Sequence, residues 1–323
     1  GTEPTVTDAS VILGYVNPGS FMAGTMPLLA DEADEAMMTK VAGPLGMTSH
    51  DAAVGMFDVM LAKTVGAVRQ ITVERGHDPR VFSLLAFGGA GPLIAPLLAR
   101  EMGIAEVIVP FAPSGFSAWG MLSADLVHDA SRTVMQVLDD LDLDDLEGQL
   151  SELEAEARKS LERQGVADAD MRFERRLDVR YLGQEHTLGI PVGELQREGI
   201  VADFHAAHRA RYGHAMENQV QVLTARVRGI GISPRPTLPV LHPGDGDPGQ
   251  ARVASRQAFD FGSRAMREFS VYDRSLLEPG DAFAGPALID EGTSTSVVHS
   301  GQYVSVDEHG YLLITSIPGE GDA

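Results

Sequence analysis

The stretch "LLAFGGAGPLIAPLLAREMGIAEVIVP", Leu84 to Pro110, decides how the front of this chain is read. An apolar run of strand length, Val81 to Phe87, leads into Gly88-Gly89-Ala90-Gly91-Pro92. A helical stretch to Met102 follows, then a second short strand over Glu106 to Val109. Glycine lets backbone approach a ligand and adopt positive φ, and proline suits the first turn of a helix. The turn therefore reads either as a contact for phosphate or nucleotide, served by the free N–H groups of the helix start, or as a tight strand-to-helix connection. It is not the dinucleotide fingerprint, because Ile94 stands where a third glycine is needed, and no Gly-Lys-Ser/Thr follows to make a Walker loop.

Upstream, "TSHD" (Thr48 to Asp51) has the spacing of a capping box, and Val54, Phe57, Leu61, Val65 and Val68 follow at helical period. That helix is expected to stop near Gly76 and Pro79, and an earlier one is expected over Asp31 to Val41. Strands alternating with helices imply a parallel or mixed sheet. A further helix is expected from Ser117 to about Val127.

Composition changes at "DDLDLDDLEGQL". Leu146, Leu150, Leu153, Ala157 and Leu161 mark an amphipathic helix closed by Gly165. Met171, Phe173, Leu177, Val179 and Tyr181 alternate as a strand with one buried face. "FHAAHRARYGH" reads as a short helix and Val220 to Ile232 as a long strand. "PRPTLPVLHPGDGDPGQ" reads as a linker, and the rest as short strands between Pro-Gly, Gly-Pro and Asp-Glu-Gly turns. Three domains follow: 1–137, an α/β unit; 138–238, an α+β unit; 239–323, a linker and a β-rich domain.

Charge and composition exclude several functions. The formal net charge of -21 disfavours nucleic acid and anionic membranes as partners. No run of about 18 apolar residues is present, so no membrane span is expected. Cysteine is absent, which removes disulfides, thiolate nucleophiles and Cys-bound metals and fits a cytoplasmic setting. The opening "GTEPTVTDAS" reads as the interior of a longer or split protein.

The candidate chemical groups each carry a plain alternative. In "TDAS", Thr7 and Asp8 can contact substrate or water, or simply cap a helix. Asp125, His128 and Asp129 share one face if "ADLVHD" is helical, giving a metal site or a polar helix end. His205, His208 and His214 lack the acid of an HExxH site and read as a solvated helix face. Asp178, Arg180, Tyr181, Gln184 and Glu185 suit an anion clamp or a strand-end network. Ser114 and Ser117 lack a nucleophile elbow.

Taken together, "TVTDASVILGYVNP", "VERGHDPRVFSLLAFGGAGPL", "FAPSGFSAWGMLSADLVHDASRT", "DVRYLGQEHTLGI", "ARYGHAMENQVQVLTARVR" and the tail from "YDRSLLEPGDAFAGPALIDEGTSTSVV" onward resemble the hydantoinase A/oxoprolinase family, in family order. The resemblance implies an α/β fold whose first domain is the second lobe of a ribonuclease-H-like, actin-like ATPase. It implies ATP with Mg²⁺, and hydrolysis of a cyclic amide such as a hydantoin or 5-oxoproline through a phosphorylated imidate. Related members serve ATP-dependent ketone carboxylases, and a scaffold without catalysis is a third reading. By the same resemblance Gly88, Gly89, Ala90, Gly91 and Pro92 form the adenosine-side loop, and Asp8 of the "TDA" motif takes a polar active-site role. The family's glycine-rich phosphate loop is not in this sequence. The expected partners are therefore a polypeptide carrying that N-terminal lobe and a hydantoinase B-type subunit, with no turnover by this chain alone.

Overall fold

The computed structural model describes residues 2–316, which divide into two units, 2–120 with 237–316 and 121–236. Gly1 and 317–323 of the expected domains lie outside the described residues.

The first unit opens with α1 (Val6–Ile12), α2 (Ala30–Met37) and a π-helical turn running into the one-turn α3 (Gly43–Leu45). Next comes α4 (Ser49–Ile71), whose N-terminus is closed as its sequence predicts: the Asp51 N–H donates to Thr48 Oγ1 at 3.0 Å, and the Thr48 hydroxyl donates to the Asp51 carboxylate at 2.7 Å. β1 is only Leu84–Leu85, shorter than the apolar run suggested, because Pro79–Val81 forms a 3₁₀ turn. α5 (Gly91–Met102), β2 (Glu106–Val109) and α6 (Phe116–Leu122) follow.

The second unit is β3 (Leu126–Val137), α7 (Leu143–Arg163), β4 (Met171–Tyr181), β5 (Leu188–Pro191), α8 (Arg197–Tyr212) and β6 (Val220–Gly231). Its sheet is antiparallel, in the order β3-β6-β4-β5. The apolar stripe of α7 is buried at Leu146, Leu150, Leu153, Ala157 and Leu161 against Leu177, Val179, Val222 and Ala225. The expected helix up to Val127 ends at Leu122 instead. "LVHDASRTVMQV" is β3, stabilised along its length by pairing with β6, a partner about a hundred residues away. The expected boundary at 137/138 therefore falls inside this unit, at the end of β3.

The tail supplies β7 (Arg252–Asp260), β8 (Ala265–Asp273), β9 (Ala282–Ala284), β10 (Ala287–Asp290), β11 (Thr295–Val298), β12 (Gln302–Val306) and β13 (Leu312–Ser316). It does not stand apart from the first unit, as 239–323 had been drawn. β13 pairs antiparallel with β2, Leu312 opposite Val109 and Ile314 opposite Val107, completing a mixed sheet β1-β2-β13-β12-β9. A second sheet runs β11-β10-β8-β7. The physical reason is burial: Leu98, Val107 and Val109 share one core with Val304, Leu312 and Ile314, while Tyr15 and Phe57 share another with Phe259, Phe269 and Leu288. Neither half of the unit covers its own apolar face. The Pro-rich segment lies along this body, with the Leu241 N–H donating to Glu308 O and Gly244 N–H to Pro279 O.

One glycine makes the junction possible. Gly14 has φ +81°, and a Cβ built there would lie 2.2 Å from Gln257 O on β7. Next to it the Phe259 N–H donates to Leu13 O, and the Tyr15 hydroxyl donates to Phe259 O at 2.5 Å. Gly14→Ala is expected to destabilise the first unit by about 2–4 kcal/mol, from left-handed strain plus overpacking against backbone. A chemical denaturation curve indistinguishable from wild type would contradict this close approach.

Candidate functional site

The glycine turn lies at the surface. Phe87, Gly89 and Ala90 are exposed, Gly88 and Gly91 half-buried, and Pro92 buried. Gly88 takes φ +85° with nothing within 4 Å of a built Cβ, so backbone conformation rather than crowding requires glycine there. Its N–H donates to Pro113 O at 2.8 Å, which ties the turn to the 3₁₀ segment before α6. No side chain caps α5, whose first residue is Gly91, so its dipole and part of its first-turn N–H set are open to a ligand.

Gly89 and Leu93 form part of the wall of a cleft of about 660 Å³. The rest of the wall comes from distant sequence: Asn17 and Phe21 after α1, Phe111 and Ala112 after β2, Arg256 and Val271 on β7 and β8, and the turn from Asp290 to Thr295. This volume suits a small-molecule ligand. The polar wall is well ordered. Arg256 donates to Asp290 at 3.1 Å, and Thr295 donates to the same carboxylate at 3.0 Å. Glu291 accepts from the Ala112 N–H at 2.9 Å and from Ser294 Oγ at 3.3 Å. Burial pushes the Glu291 carboxyl up from its ordinary value, against the nearby Arg274 charge and those hydrogen bonds. Burial likewise brings Arg274 down to about 10, and its Nη2 donates to Gly310 O. Asp290, Glu291 and Arg256 had drawn no attention in the sequence. The signal available was the acidic pair after the apolar "PALI" in "PALIDEG", with nothing local to link it to a turn some 200 residues earlier.

Asp8 is placed differently from the turn. It sits at the third position of α1 and closes a capping box: the Thr5 N–H and hydroxyl both donate to its carboxylate at 2.7 Å. Asp8 is not among the residues lining the cleft, and Thr7 is exposed on the first turn of α1. Ser114 pairs with Thr293 at 2.6 Å between hydroxyls, bridging the turn's neighbour to the cleft rim.

The metal option in "ADLVHD" does not survive the fold. On β3, His128 and Asp129 project to opposite faces, whereas a helix would have set both one turn from Asp125, at i+3 and i+4. Asp129 pairs with Arg228 at 2.8 Å, and Asp125 accepts the Ser233 N–H. Nor is "FHAAHRARYGH" a solvated histidine face: His208 is buried against Tyr181 and Phe204, its Nδ1 2.6 Å from His214 O, while His205 is half-buried. The i+4 step from Phe204 puts His208 on the apolar side of α8. The "DVRYLGQEH" cluster is a strand-end network, with Asp178 to Arg226, Arg180 to Gln221, and Tyr181 Oη accepting the Met216 N–H.

The glycine turn fits the backbone-contacting end of a nucleotide: it is exposed, unhindered, and opens on a cleft of suitable size. Among the described residues no group of three His, Asp or Glu is placed to hold a metal ion by protein ligands alone; Mg²⁺ with a nucleotide needs only one or two carboxylates beside the phosphates.

Comparison with known proteins agrees with the order of motifs. Residues 1–130 match the hydantoinase/oxoprolinase family model, and residues 141–316 match the hydantoinase/oxoprolinase C-terminal domain. The chain is 31% identical over 324 residues to the caprolactamase subunit alpha of Pseudomonas jessenii, covering 95% of this chain and 45% of that protein. A crystal structure of the ATP-dependent caprolactamase from that organism aligns with TM-score 0.72 at 30% identity, over 98% of this chain and 47% of the other. The acetophenone carboxylase gamma subunit of Aromatoleum aromaticum is 29% identical over 333 residues, 98% of this chain and 45% of that protein. The nucleotide-free acetone carboxylase structure shares the fold, with TM-score 0.81 at 24% identity, over 97% of this chain and 46% of that one. The chain thus spans less than half the length of these relatives. With matched models over most of its length, the chain belongs to the hydantoinase/oxoprolinase family.

Proposed function

We propose that this chain is the C-terminal portion, or a split subunit, of an ATP-dependent enzyme that hydrolyses a cyclic amide. The observation that carries this reading is the exposed glycine turn at the open start of α5, beside a ligand-sized cleft, in a chain 31% identical to a caprolactamase subunit. An amide is a poor electrophile, and a bound nucleotide supplies the activation, by making the amide oxygen a phosphorylated leaving group. The work of this chain is positional. Gly88 and Gly89 let backbone lie against the base and ribose end, and the N-terminus of α5 adds favourable dipole. The cleft wall keeps Glu291 in a desolvated setting where its carboxyl retains a proton to higher pH. The polypeptide that grips the polyphosphate is proposed as a partner or as the remainder of a longer protein, with a hydantoinase B-type subunit alongside and a divalent metal held elsewhere in the assembly.

A second reading, a subunit of an ATP-dependent ketone carboxylase, draws on the 29% identity to the acetophenone carboxylase subunit. The two differ in a co-substrate. The assembled enzyme, given ATP, is expected to open a lactam or hydantoin ring without bicarbonate. Labelled bicarbonate entering a carboxylate product from a ketone, with no ring-opening activity, would replace the first reading by the second.

A further inference from the structure

The sheet of the second unit is covered by helices on one side. Residues of α7 and α8 share one core with Leu177, Val179 and Tyr181 of β4 and with Val222, Ala225 and Val227 of β6. Side chains alternate along a strand, so the other face carries the intervening residues. There Arg172, Arg176 and Arg180 on β4 lie beside Arg226 and Arg228 on β6, and all but the half-buried Arg180 are exposed. Three acids share the face: Asp129 pairs with Arg228 at 2.8 Å, Asp178 with Arg226 at 2.6 Å, and Glu174 stands opposite Arg228. Positive charge is therefore in excess here, in a chain of formal net charge -21. One contact on the face is unfavourable as it stands. Arg176 and Arg226 are directly opposite in the β4–β6 register, where like charges destabilise, and Arg176 ends on Gly189 O at 3.3 Å rather than on a carboxylate.

A complement to this face lies in the same unit. β3 ends at Val137, opposite Gln221, at the end of the sheet where Arg180 donates to Gln221 at 2.9 Å. The 3₁₀ turn that follows carries Asp139 and Asp140, and Asp142, Asp144 and Asp145 open α7; all five are exposed. Asp142 caps α7, and Asp144 and Asp145 suit its positive end, which is a local reason for those three. Asp139 and Asp140 precede the helix and have no cap to make. Arg197 donates to Leu138 O and Leu141 O, which fixes the turn from both ends.

We propose that the arginine face is the docking surface for a second copy of this chain, in a two-fold dimer where the acidic turn of each copy, Asp139 to Asp145, lies against the arginine face of the other. Charge complementarity names the occupant. The face is flat and polar, which suits a protein surface better than a small molecule, for which concave sites are the rule. A two-fold interface is self-complementary, and this unit holds both complementary patches. The docked carboxylates also relieve the Arg176–Arg226 opposition, which nothing on the face neutralises at Arg176. The net charge of two copies opposes association at long range, but at 0.1 M salt that repulsion is screened beyond about 10 Å, while close pairs persist. The inference is independent of the nucleotide reading and stands or falls without it.

Sedimentation velocity tests the dimer directly. The chain is expected to show a monomer–dimer equilibrium at about 0.1 M salt that shifts toward monomer at about 1 M, where screening reaches close pairs. The double variant Arg172→Glu/Arg176→Glu is expected to weaken the dimer by about tenfold or more. Its fold is expected to persist, because the second change sets a carboxylate opposite Arg226. Asp139→Arg/Asp140→Arg is expected to weaken the dimer equally, and it leaves the Asp142 cap of α7 in place. Mixing the two variants is the deciding arm. The reversed face then meets the reversed turn and the native face meets the native turn, so dimer is expected to return to the wild-type level. A wild-type chain that stays monomeric at about 0.1 M salt, a dimer indifferent to salt, or a mixture that remains as weak as either variant alone overturns the proposal.

Discussion

Asp260→Ala is expected to lower the stability of the first unit by about 3–5 kcal/mol, the range for removing one partner of a buried charged network. Asp260 and His299 are both fully buried. The Asp260 carboxylate accepts the N–H groups of Gly262, Ser263 and Ser300, and faces His299 Nδ1 at 3.1 Å. Removing it leaves the buried His299 ring without its partner and frees three backbone N–H groups, those of Gly262, Ser263 and Ser300, at the edge of the core. The consequence reaches beyond one turn, because Phe259 is adjacent to Asp260 and carries the Tyr15 and Leu13 hydrogen bonds that seat the N-terminal segment.

The same network sets a pH dependence. Burial lowers the His299 pKa from its ordinary value of 6.5, and the nearby Arg100 acts the same way, outweighing the hydrogen bond and charge of Asp260. The folded state therefore binds this proton less readily than the unfolded state, and stability falls as pH drops below about 6.5. For Asp260, burial pushes upward, but the hydrogen bonds from His299, Ser300 and Ser263 win and hold its carboxyl well below the usual range. Its contribution is complete above about pH 4 and is lost as pH falls toward its folded value. Both groups thus destabilise the fold in acid, in two separate windows. Urea unfolding across about pH 2 to 8 checks both windows: a loss below about 1 kcal/mol for Asp260→Ala at neutral pH, or flat stability between about pH 6.5 and 5, would contradict the assignment.

Gly89→Asp is the second large effect, and it falls on binding rather than folding. Gly89 does not need positive φ, and a Cβ there would meet Thr293 O at 3.6 Å, an ordinary contact. The backbone therefore accepts the side chain, and the unfolding midpoint is expected to stay within about 0.5 kcal/mol of wild type, as for surface substitutions. A carboxylate on a turn that faces a nucleotide is different: it adds bulk where backbone must approach the base and ribose, and it brings a negative charge close to a bound polyanion. Like-charge juxtaposition costs several kcal/mol, so nucleotide affinity of the assembled enzyme is expected to fall by about a hundredfold. Gly89→Ala, which adds bulk without charge, is expected to fall much less. Unchanged nucleotide affinity in Gly89→Asp would remove the turn from the site.

How much of this was legible from residues alone depended on distance along the chain. The Thr48 cap, the α5 start at Gly91, the strand Glu106–Val109, the leucine stripe of α7 and the alternation of β4 all follow from interactions within a few residues. Helical period and capping are local properties, so local reading finds them. "ADLVHD" misled for the same reason: a His and an Asp after an apolar run suit a helix end by themselves, and only the β6 partner makes His128 and Asp129 part of a strand. His208 looked solvated because its burial comes from Tyr181, on a strand that the α8 sequence does not contain.

By itself the sequence determined the glycine turn, the helices and strands around it, the absence of cysteine chemistry, and the family to which the motif order points. Only the tertiary structure decided that the tail completes the first unit's sheet, and that Asp290, Glu291 and Arg256 wall the cleft beside Gly89. Turns and helix starts are stabilised by atoms a few bonds away. Strand pairing and cleft walls depend instead on which remote apolar faces bury each other, and that is settled only when the whole unit packs.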